Sequence, residues 1–240
     1  MSTAEQTSRP PTFFQSIQIL GREPKFRDLL AASPLVVWYV FCLVWQLPLL
    51  ARNAMQLSLT HVNWLAALSV ASLIARFGFA AMLTMLMIIR RTPIKKHQGF
   101  AKRAIAFFGC YVGIGAQVLP TQPSTPSLAV LSGFLVIFGM GFAAFSLFYL
   151  GRSISIMPES RKLVTGGPYS LVRHPLYVGE QLAVVGIALQ CRSVWVLAIL
   201  TLQFGCQLYR MIYEEEILAD TFPEYKNYAE HTARLIPWLY

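Results

Sequence analysis

Long apolar runs separated by short polar segments dominate the pattern of this chain. A lipid core about 30 Å thick requires about 20 predominantly apolar residues in a helix, and six segments approach that length. The predicted spans are residues 34–50, 63–89, 104–119, 128–150, 176–190 and 194–213. Only a short segment separates the last two spans, and this short connection predicts that they form a helical hairpin. The pattern therefore predicts an all-α fold, a polytopic membrane helix bundle of about six transmembrane helices.

The two ends of the chain differ from this apolar middle. Residues 1–30 predict a cytosolic tail, in which one apolar face at residues 13–20 predicts a short interfacial helix. Residues 214–240 mix polar and aromatic side chains, which predicts an amphipathic tail that lies at the interface and folds back over the hairpin. Between the ends, residues 31–130 carry the N-terminal transmembrane helices, and residues 131–240 carry the remaining helices with most of the polar chemistry.

The composition places the chain in a membrane. Hydrophobic residues make up 55% of the chain, charged residues only 13%, and the mean hydropathy is +0.52. A soluble domain carries about 25% charged residues, so this chain has too little charge to cover a water-facing surface. The four cysteines lie in or beside apolar runs without CxxC or metal-ligand spacing, which predicts neither a disulfide framework nor a metal site.

The distribution of basic residues predicts the orientation of the spans. With the N-terminus inside, all of the 20 Lys and Arg residues except Arg52, Arg76 and Arg192 lie in cytoplasmic segments. This bias predicts a multi-pass protein with both termini in the cytoplasm, and the lack of a targeting segment favours a bacterial inner membrane. Cations that flank spans favour contacts with anionic membrane lipids and argue against nucleic acid as a partner.

The most polar segment, residues 161–180, lies before and at the start of the fifth span. The Gly-Gly-Pro sequence at 166–168 predicts a turn, whose backbone N–H groups can bind a carboxylate or approach a flat ligand. Arg173 and His174 then precede Pro175, a residue suited to the first turn of a helix. Because a helix N-terminus with basic side chains attracts anions, the segment predicts a ligand site.

A second polar cluster ends the sixth span about thirty residues later. Arg210 and Glu214 are four residues apart and therefore share one face of a helix, whereas Glu215 points about 100° away from Glu214. Because the last two spans form a hairpin, this cluster is expected to meet the cationic segment. Glu214 can bind an amine or the hydroxyl groups of a ligand, and Arg210 can bind an anionic group.

Two charged residues lie inside predicted spans, where ionisable groups are expensive and often functional. Glu180 lies one turn into the fifth span, and we expect it to pair with Arg173 or Lys162 behind the ligand site. Arg76 lies within the second span with no acid nearby in sequence. Its expected partners are backbone carbonyls or the headgroup of a substrate, unless it lies nearer an interface.

The motifs of these clusters resemble the isoprenylcysteine carboxyl methyltransferase family, which belongs to a wider group of membrane methyltransferases that includes the phospholipid N-methyltransferases. The similarity covers residues 140–240. It consists of Leu-Val-Thr-Gly-Gly-Pro-Tyr at 163–169, Arg-His-Pro-Leu-Tyr at 173–177, Arg-x-x-x-Glu-Glu-x-x-Leu at 210–218 and Arg-Leu-Ile-Pro at 234–237. The resemblance implies that residues 131–240 form a methyltransferase core with a cytosolic pocket for S-adenosylmethionine.

The resemblance also implies a role for individual residues. The implied cofactor-binding residues are Arg161, Lys162, Leu163, Val164, Tyr169, His174, Pro175, Leu176, Tyr177 and Glu214. The implied catalytic residues are Arg210, which would hold the carboxylate of the acceptor, together with Arg173 and Glu215. The expected partner is a lipophilic small molecule or a prenylated substrate, and the expected reaction is carboxyl O-methylation of a prenylcysteine-like or other lipid-borne carboxylate.

Other functions share part of this pattern. The methyl acceptor could instead be a phospholipid amine, a small-molecule amine or a thiol. Sterol-reductase-like membrane oxidoreductases resemble this group in their C-terminal half, but they use NADPH and normally have more spans. A non-enzymatic membrane protein, such as a transporter or an assembly factor, would show spans with paired polar interruptions, and only Arg76 points in that direction.

Overall fold

The structure of the chain is a computed structural model, which describes residues 23–59, 64–96, 104, 105, 109, 125–155, 157, 159–191 and 194–237. The helices are α1 Pro24–Leu59, α2 Trp64–Ile89, α3 Pro126–Leu150, α4 Pro175–Cys191, α5 Val194–Thr221 and α6 Tyr225–His231. Two 3-10 turns lie at Gly151–Ser153 and Gly167–Ser170, and the strands β1 Lys95–Lys96 and β2 Glu159–Ser160 pair antiparallel. The mostly helical character predicted from the sequence is confirmed.

Among the described residues, four helical segments are long and apolar enough to cross a membrane, which supports an integral membrane protein. These segments are Pro24–Met55, Trp64–Ile89, Pro126–Ser153 and Trp195–Thr221. α4 is apolar but has 17 residues, fewer than the about 20 that a span requires. Most of the predicted span at 104–119, and the predicted interfacial helix at 13–20, lie outside the described residues. The count of six spans is therefore not confirmed.

The first and last predicted spans are longer in the structure than in the sequence-based prediction. α1 begins at Pro24 instead of residue 34, and α5 continues to Thr221 instead of ending at 213. Both extensions carry polar residues, which end an apolar run but do not end a helix. In the extension of α5, the Thr221 hydroxyl donates to Ser160 Oγ at 2.9 Å, so contacts with β2 stabilise the polar end of this helix.

Apolar side chains occupy both the inside and the outside of the bundle. Leu35, Phe79 and Leu147 belong to a buried cluster in which α1, α2 and α3 meet. On the outer surface, Trp45 is 72% exposed and Phe148 is 74% exposed. Large apolar patches are rare on soluble monomers, and a surface of this kind suits contact with lipid.

Small residues allow α3 and α4 to approach closely. A Cβ atom on Gly139 would lie 2.5 Å from the backbone nitrogen of Ala183, and one on Gly179 would lie 2.5 Å from the backbone nitrogen of Ala143. Contacts between small residues let helix backbones meet inside a membrane. This crossing fixes α4 against α3, together with the Arg-His-Pro-Leu-Tyr motif at the start of α4.

One end of the bundle, which we call the polar end, gathers most of the described charged residues. Asp28 in the first turns of α1 is buried and binds Arg90, which follows α2, at 2.9 Å (Nε to Oδ2). The same carboxylate binds Arg161, which follows β2, at 2.9 Å (Nη2 to Oδ1). Arg152, after α3, donates to the carbonyl oxygen of Ile89 at 2.8 Å. The start of α1 and the ends of α2 and α3 therefore share the polar end.

The chain after α5 folds back onto the segment that precedes α4. The Arg173 N–H donates to the carbonyl oxygen of Ala233 at 2.8 Å, and the Tyr228 hydroxyl donates to the carbonyl oxygen of Tyr169 at 2.6 Å. The C-terminal tail thus lies over the loop that opens α4 and holds this loop in place.

Candidate active site

A cleft opens at the polar end, between the loop after α3, the start of α4 and the end of α5. Its volume is about 980 Å³ when the open space at its mouth is included. The predicted site residues that line it are Arg161, Lys162, Leu163, Val164, Tyr169, Arg173, His174, Leu176, Tyr177, Arg210 and Glu214. Pro175 and Glu215 are the two predicted site residues outside its lining. We call this cavity the polar-end cleft.

Tyr177, Arg210 and Glu214 form a polar cluster within the polar-end cleft. The Tyr177 hydroxyl donates to Glu214 Oε1 at 2.5 Å, and Arg210 Nη2 lies 3.6 Å from the same oxygen. The guanidinium carbon of Arg210 lies 5.1 Å from the centre of the Tyr177 ring, within the range of a cation–π interaction. The cluster joins α4 to α5 and fixes one acid and one cation side by side.

His174 is buried next to this cluster. Its Nε2 atom lies 3.0 Å from Glu215 Oε1, and its Nδ1 atom lies 3.9 Å from Glu214 Oε2. The imidazole ring stacks on the Tyr177 ring, with 5.5 Å between the ring centroids. Because a carboxylate approaches each ring nitrogen, the orientation of the imidazole is fixed at the start of α4.

Arg173 and Glu215 are tied to the C-terminal tail. Arg173 Nε donates to Glu215 Oε1 at 3.0 Å, and Arg234 donates to both oxygens of Glu215 at 2.9 and 2.8 Å. Arg173 Nη1 also donates to the carbonyl oxygens of Ala229 and Thr232 at 2.7 and 2.5 Å. Charge-assisted hydrogen bonds of this kind are strong. Arg173 and Glu215, two of the three residues to which the resemblance assigned a catalytic role, therefore hold the loop before α4 against the tail.

The Gly-Gly-Pro turn places Tyr169 in the polar-end cleft. Gly167 has a φ of +62°, and a Cβ atom at this position would overlap the Tyr149 ring, so the turn requires glycine. The 3-10 turn that follows buries Tyr169. Burial raises the pKa of the Tyr169 hydroxyl well above its usual range, and the carboxylate of Glu214 raises it further. The hydroxyl therefore stays protonated at physiological pH.

Arg161 and Lys162 form the cationic edge of the cleft. The terminal nitrogens of Arg161 donate to Asp28 and to Glu159, the latter at 2.5 Å, but its buried Nε atom has no hydrogen-bond partner. Lys162 is exposed and makes no hydrogen bond or ion pair with the part of the chain that the structure describes. One N–H donor and one ammonium group therefore remain for an anionic group of a ligand.

Some lining residues were not predicted from the sequence. Ser155 and Glu159 line the cleft from the loop after α3, and Tyr39 reaches it from α1. The contribution of Tyr39 depends on the packing of helices that are distant in sequence, which no local motif reveals. Glu159 lies two residues before Arg161, and this spacing could have indicated its ion pair, which the structure shows at 2.5 Å.

Glu180 also lines the cleft, but its predicted partners are wrong. The sequence-based expectation was a contact with Arg173 or Lys162. In the structure, Glu180 Oε2 accepts a hydrogen bond from Gln207 Nε2 at 3.0 Å, because α4 carries this carboxylate along the helix toward the apolar interior, away from the loop that holds the cations. Glu180 therefore lies at the inner end of the cleft.

Comparison with known proteins agrees with the group that the motifs indicated. Residues 127–225 match the family model described as Phospholipid methyltransferase, which lies within the wider group of membrane methyltransferases. The matched region contains α3, α4 and α5 and most of the polar-end cleft. At this level the resemblance seen in the sequence is confirmed, and the match indicates a membrane methyltransferase.

Two curated proteins are similar to part of the chain. The cobalt-zinc-cadmium resistance protein CzcN of Cupriavidus metallidurans is 39% identical over 105 residues, which cover 42% of this chain and 49% of that protein. The nickel-cobalt-cadmium resistance protein NccN of Alcaligenes xylosoxydans xylosoxydans is 40% identical over 82 residues, which cover 34% of this chain and 38% of that protein. The chain thus spans about half the length of these relatives or less, and their names state metal resistance but no reaction.

Proposed function

We propose that this chain is an S-adenosylmethionine-dependent methyltransferase of the membrane that methylates a lipid-borne carboxylate, such as that of a prenylcysteine-like molecule. The observation that carries the proposal is the polar-end cleft, because it brings the cationic loop, Tyr169 and the cluster of Tyr177, Arg210 and Glu214 to the end of an apolar bundle. The charge bias supports an orientation with both termini and the cleft on the cytoplasmic side.

The residues present in the cleft fit S-adenosylmethionine, which carries a carboxylate, an amine, ribose hydroxyls and a sulfonium cation. The unpartnered Nε atom of Arg161 and the ammonium group of Lys162 would bind the carboxylate. Glu214 would bind the amine or the ribose hydroxyls, and its hydrogen bond from Tyr177 holds its orientation. The buried ring of Tyr169 offers a flat surface for an adenine base.

The chemistry that S-adenosylmethionine supplies is an electrophilic methyl group, so that an O–CH₃ bond forms as the S–CH₃ bond breaks and S-adenosylhomocysteine leaves. A carboxylate is already ionised at neutral pH, and the reaction therefore needs no general base. Positioning accounts for most of the rate in such a case. Arg210 would orient the acceptor carboxylate, because a guanidinium group binds carboxylates with two parallel hydrogen bonds.

We assign a positioning role to Arg173 and Glu215 in place of direct catalysis. Glu215 accepts hydrogen bonds from both Arg173 and Arg234 and lies 3.0 Å from His174 Nε2. These contacts join the tail to the loop before α4 and set the orientation of the His174 ring that lines the cleft. The C-terminal tail would in this way complete the cofactor site without contacting the cofactor.

A phospholipid amine is the second candidate acceptor, because the matched family is described as Phospholipid methyltransferase. An amine must lose a proton before or during methylation, so this function needs a base near the methyl group. Glu180, at the inner end of the cleft, is the residue placed for that role. Methylation assays with a fatty acid and with phosphatidylethanolamine in parallel distinguish the two acceptors.

A calorimetric titration of the detergent-purified protein with S-adenosylmethionine, and separately with NADPH, tests the proposed cofactor. We expect saturable binding of S-adenosylmethionine that is lost in Glu214→Ala and in His174→Ala. Glu224→Ala is the matched control, because Glu224 is an exposed acid outside the cleft. Binding of NADPH alone would favour a reductase, and binding of neither compound to folded protein would leave only the fold in common with methyltransferases.

A further inference from the structure

A second cavity lies deeper in the bundle and adjoins the polar-end cleft. Its volume is about 910 Å³ when open space at its mouth is included, and residues of α1, α2, α3, α4 and α5 contribute to its lining. Tyr39, Glu180 and Arg210 line both cavities, so the two share a wall at these residues. A ligand in the inner cavity would therefore meet the polar-end cleft at Arg210. We call the second cavity the inner cavity.

The inner cavity contains polar groups that have no partner among the described residues. Gln207 and Glu180 are hydrogen-bonded to each other at 3.0 Å. By contrast, the buried Nε atom of Arg76 and the buried Oε1 atom of Gln203 have no hydrogen-bond partner, and Gln203 is only 5% exposed. Within the part of the chain that the structure describes, no carboxylate lies within ion-pair distance of Arg76.

Arg76 has no anionic partner among the residues that the structure describes, although it lies deep within a helix. Arg76 lies halfway along α2, about 18–20 Å from either end at 1.5 Å per residue. The guanidinium group keeps its charge in proteins, and charges within membrane segments are costly unless they are paired. A guanidinium group binds carboxylates and phosphates in a bidentate manner. Within the described part of the chain, Arg76 therefore offers a binding point for an anionic group of a molecule that enters between the helices.

We propose that the inner cavity binds a lipophilic anion whose charged group pairs with Arg76. The apolar part of this molecule would contact Trp38, Phe79 and Met140, which line the same cavity. Gln203 Oε1 would accept a hydrogen bond from a hydroxyl or amide N–H group of the ligand. Binding of the anion to Arg76 does not rest on the proposed function.

Two kinds of molecule carry one anionic group on an apolar chain: one has a carboxylate, and the other has the phosphate of a lipid. Dodecanoate, its uncharged methyl ester and dihexanoyl phosphatidic acid distinguish these cases. Calorimetric titration in detergent, without S-adenosylmethionine, measures the binding of each probe to wild type, Arg76→Gln and Arg52→Gln. Arg52 is the matched control, because it is an exposed arginine on α1 outside both cavities.

We expect wild type to bind at least one anionic probe about tenfold or more tightly than the methyl ester. Arg76→Gln should remove this preference, and Arg52→Gln should keep it. A preference for dodecanoate identifies a carboxylate ligand, and a preference for phosphatidic acid identifies a phosphate headgroup. Binding of neither anionic probe more tightly than the methyl ester by wild type would overturn the proposal without any variant. An equal loss of all three probes in Arg76→Gln would also overturn it, because it would indicate a structural role.

The anion titration and the cofactor titration test the two proposals separately. Saturable binding of S-adenosylmethionine together with no preference for anions would refute the inner-cavity proposal alone. A clear preference for an anion, in a protein that does not bind S-adenosylmethionine, would instead refute the proposed methyltransferase and leave the anion site. Unchanged cofactor affinity in Arg76→Gln would show that this variant is folded.

Discussion

The substitution Tyr177→Phe isolates one hydrogen bond of the polar-end cleft. It removes the hydroxyl that donates to Glu214 Oε1 at 2.5 Å, and it keeps the ring that stacks on His174 and lies under Arg210. Hydrogen bonds to charged groups contribute about 1.5–3 kcal/mol, which corresponds to a factor of about 10–150 in affinity. Without this bond, the carboxylate of Glu214 loses its fixed orientation. We therefore expect the dissociation constant of S-adenosylmethionine to rise at least about tenfold in a calorimetric titration.

Two controls decide whether this effect belongs to the hydrogen bond. Tyr209→Phe removes a hydroxyl from a tyrosine of α5 that is 56% exposed and lies outside the cleft, so it should leave the affinity unchanged. A cycle of Tyr177→Phe and Glu214→Gln should be strongly non-additive, because both variants break the same contact. Additive effects of the two substitutions, or an unchanged affinity in Tyr177→Phe, would refute the idea that this bond organises the site.

Two further predictions concern the stability of the fold, measured by thermal or denaturant unfolding in detergent. Gly179→Ala should destabilise the protein by about 1–3 kcal/mol, because its Cβ would meet backbone atoms of α3 at 2.5 Å. The control Gly141→Ala, whose Cβ would have no atom within 4 Å, should be neutral or slightly stabilising. Equal effects of the two substitutions would contradict the close crossing of α3 and α4. Asp28→Asn should lower stability by about 3–5 kcal/mol, because it leaves two buried arginines without their shared carboxylate. Asp220→Asn, whose carboxylate is 63% exposed, should cost at most about 1 kcal/mol, and a larger loss there than at Asp28 would contradict this ranking.

The helices could be predicted from the sequence because each one depends on a local run of apolar residues. Their ends were less predictable, because the extensions that contain Asp28 and Thr221 are polar. Asp28 is stable inside a helix since Arg90 and Arg161 neutralise it, and Arg161 is 133 positions away in sequence. No pattern within α1 reveals a contact over such a distance.

The candidate site was predictable where its residues lie in compact motifs. The segment 161–177 and the pair of Arg210 and Glu214 could be placed together, since a short connection between two apolar runs brings their ends to one side. The partners of individual side chains were not predictable. Glu215 points away from Glu214 on the same helix, and only the fold of the tail brings Arg234 to its carboxylate. The inner cavity is lined by residues of five helices, and the only one of these residues that stood out in the sequence for this cavity was Arg76.

The central claim is that the polar-end cleft binds S-adenosylmethionine, and photolabelling tests it most directly. The purified protein is irradiated with S-adenosylmethionine that carries a radioactive methyl group, and the labelled peptides are then sequenced. We predict label in the segment 161–177, suppressed by excess unlabelled S-adenosylmethionine and absent in Glu214→Ala. Saturable label confined to helices outside the cleft, or no saturable label in protein that retains its unfolding transition, would contradict the claim.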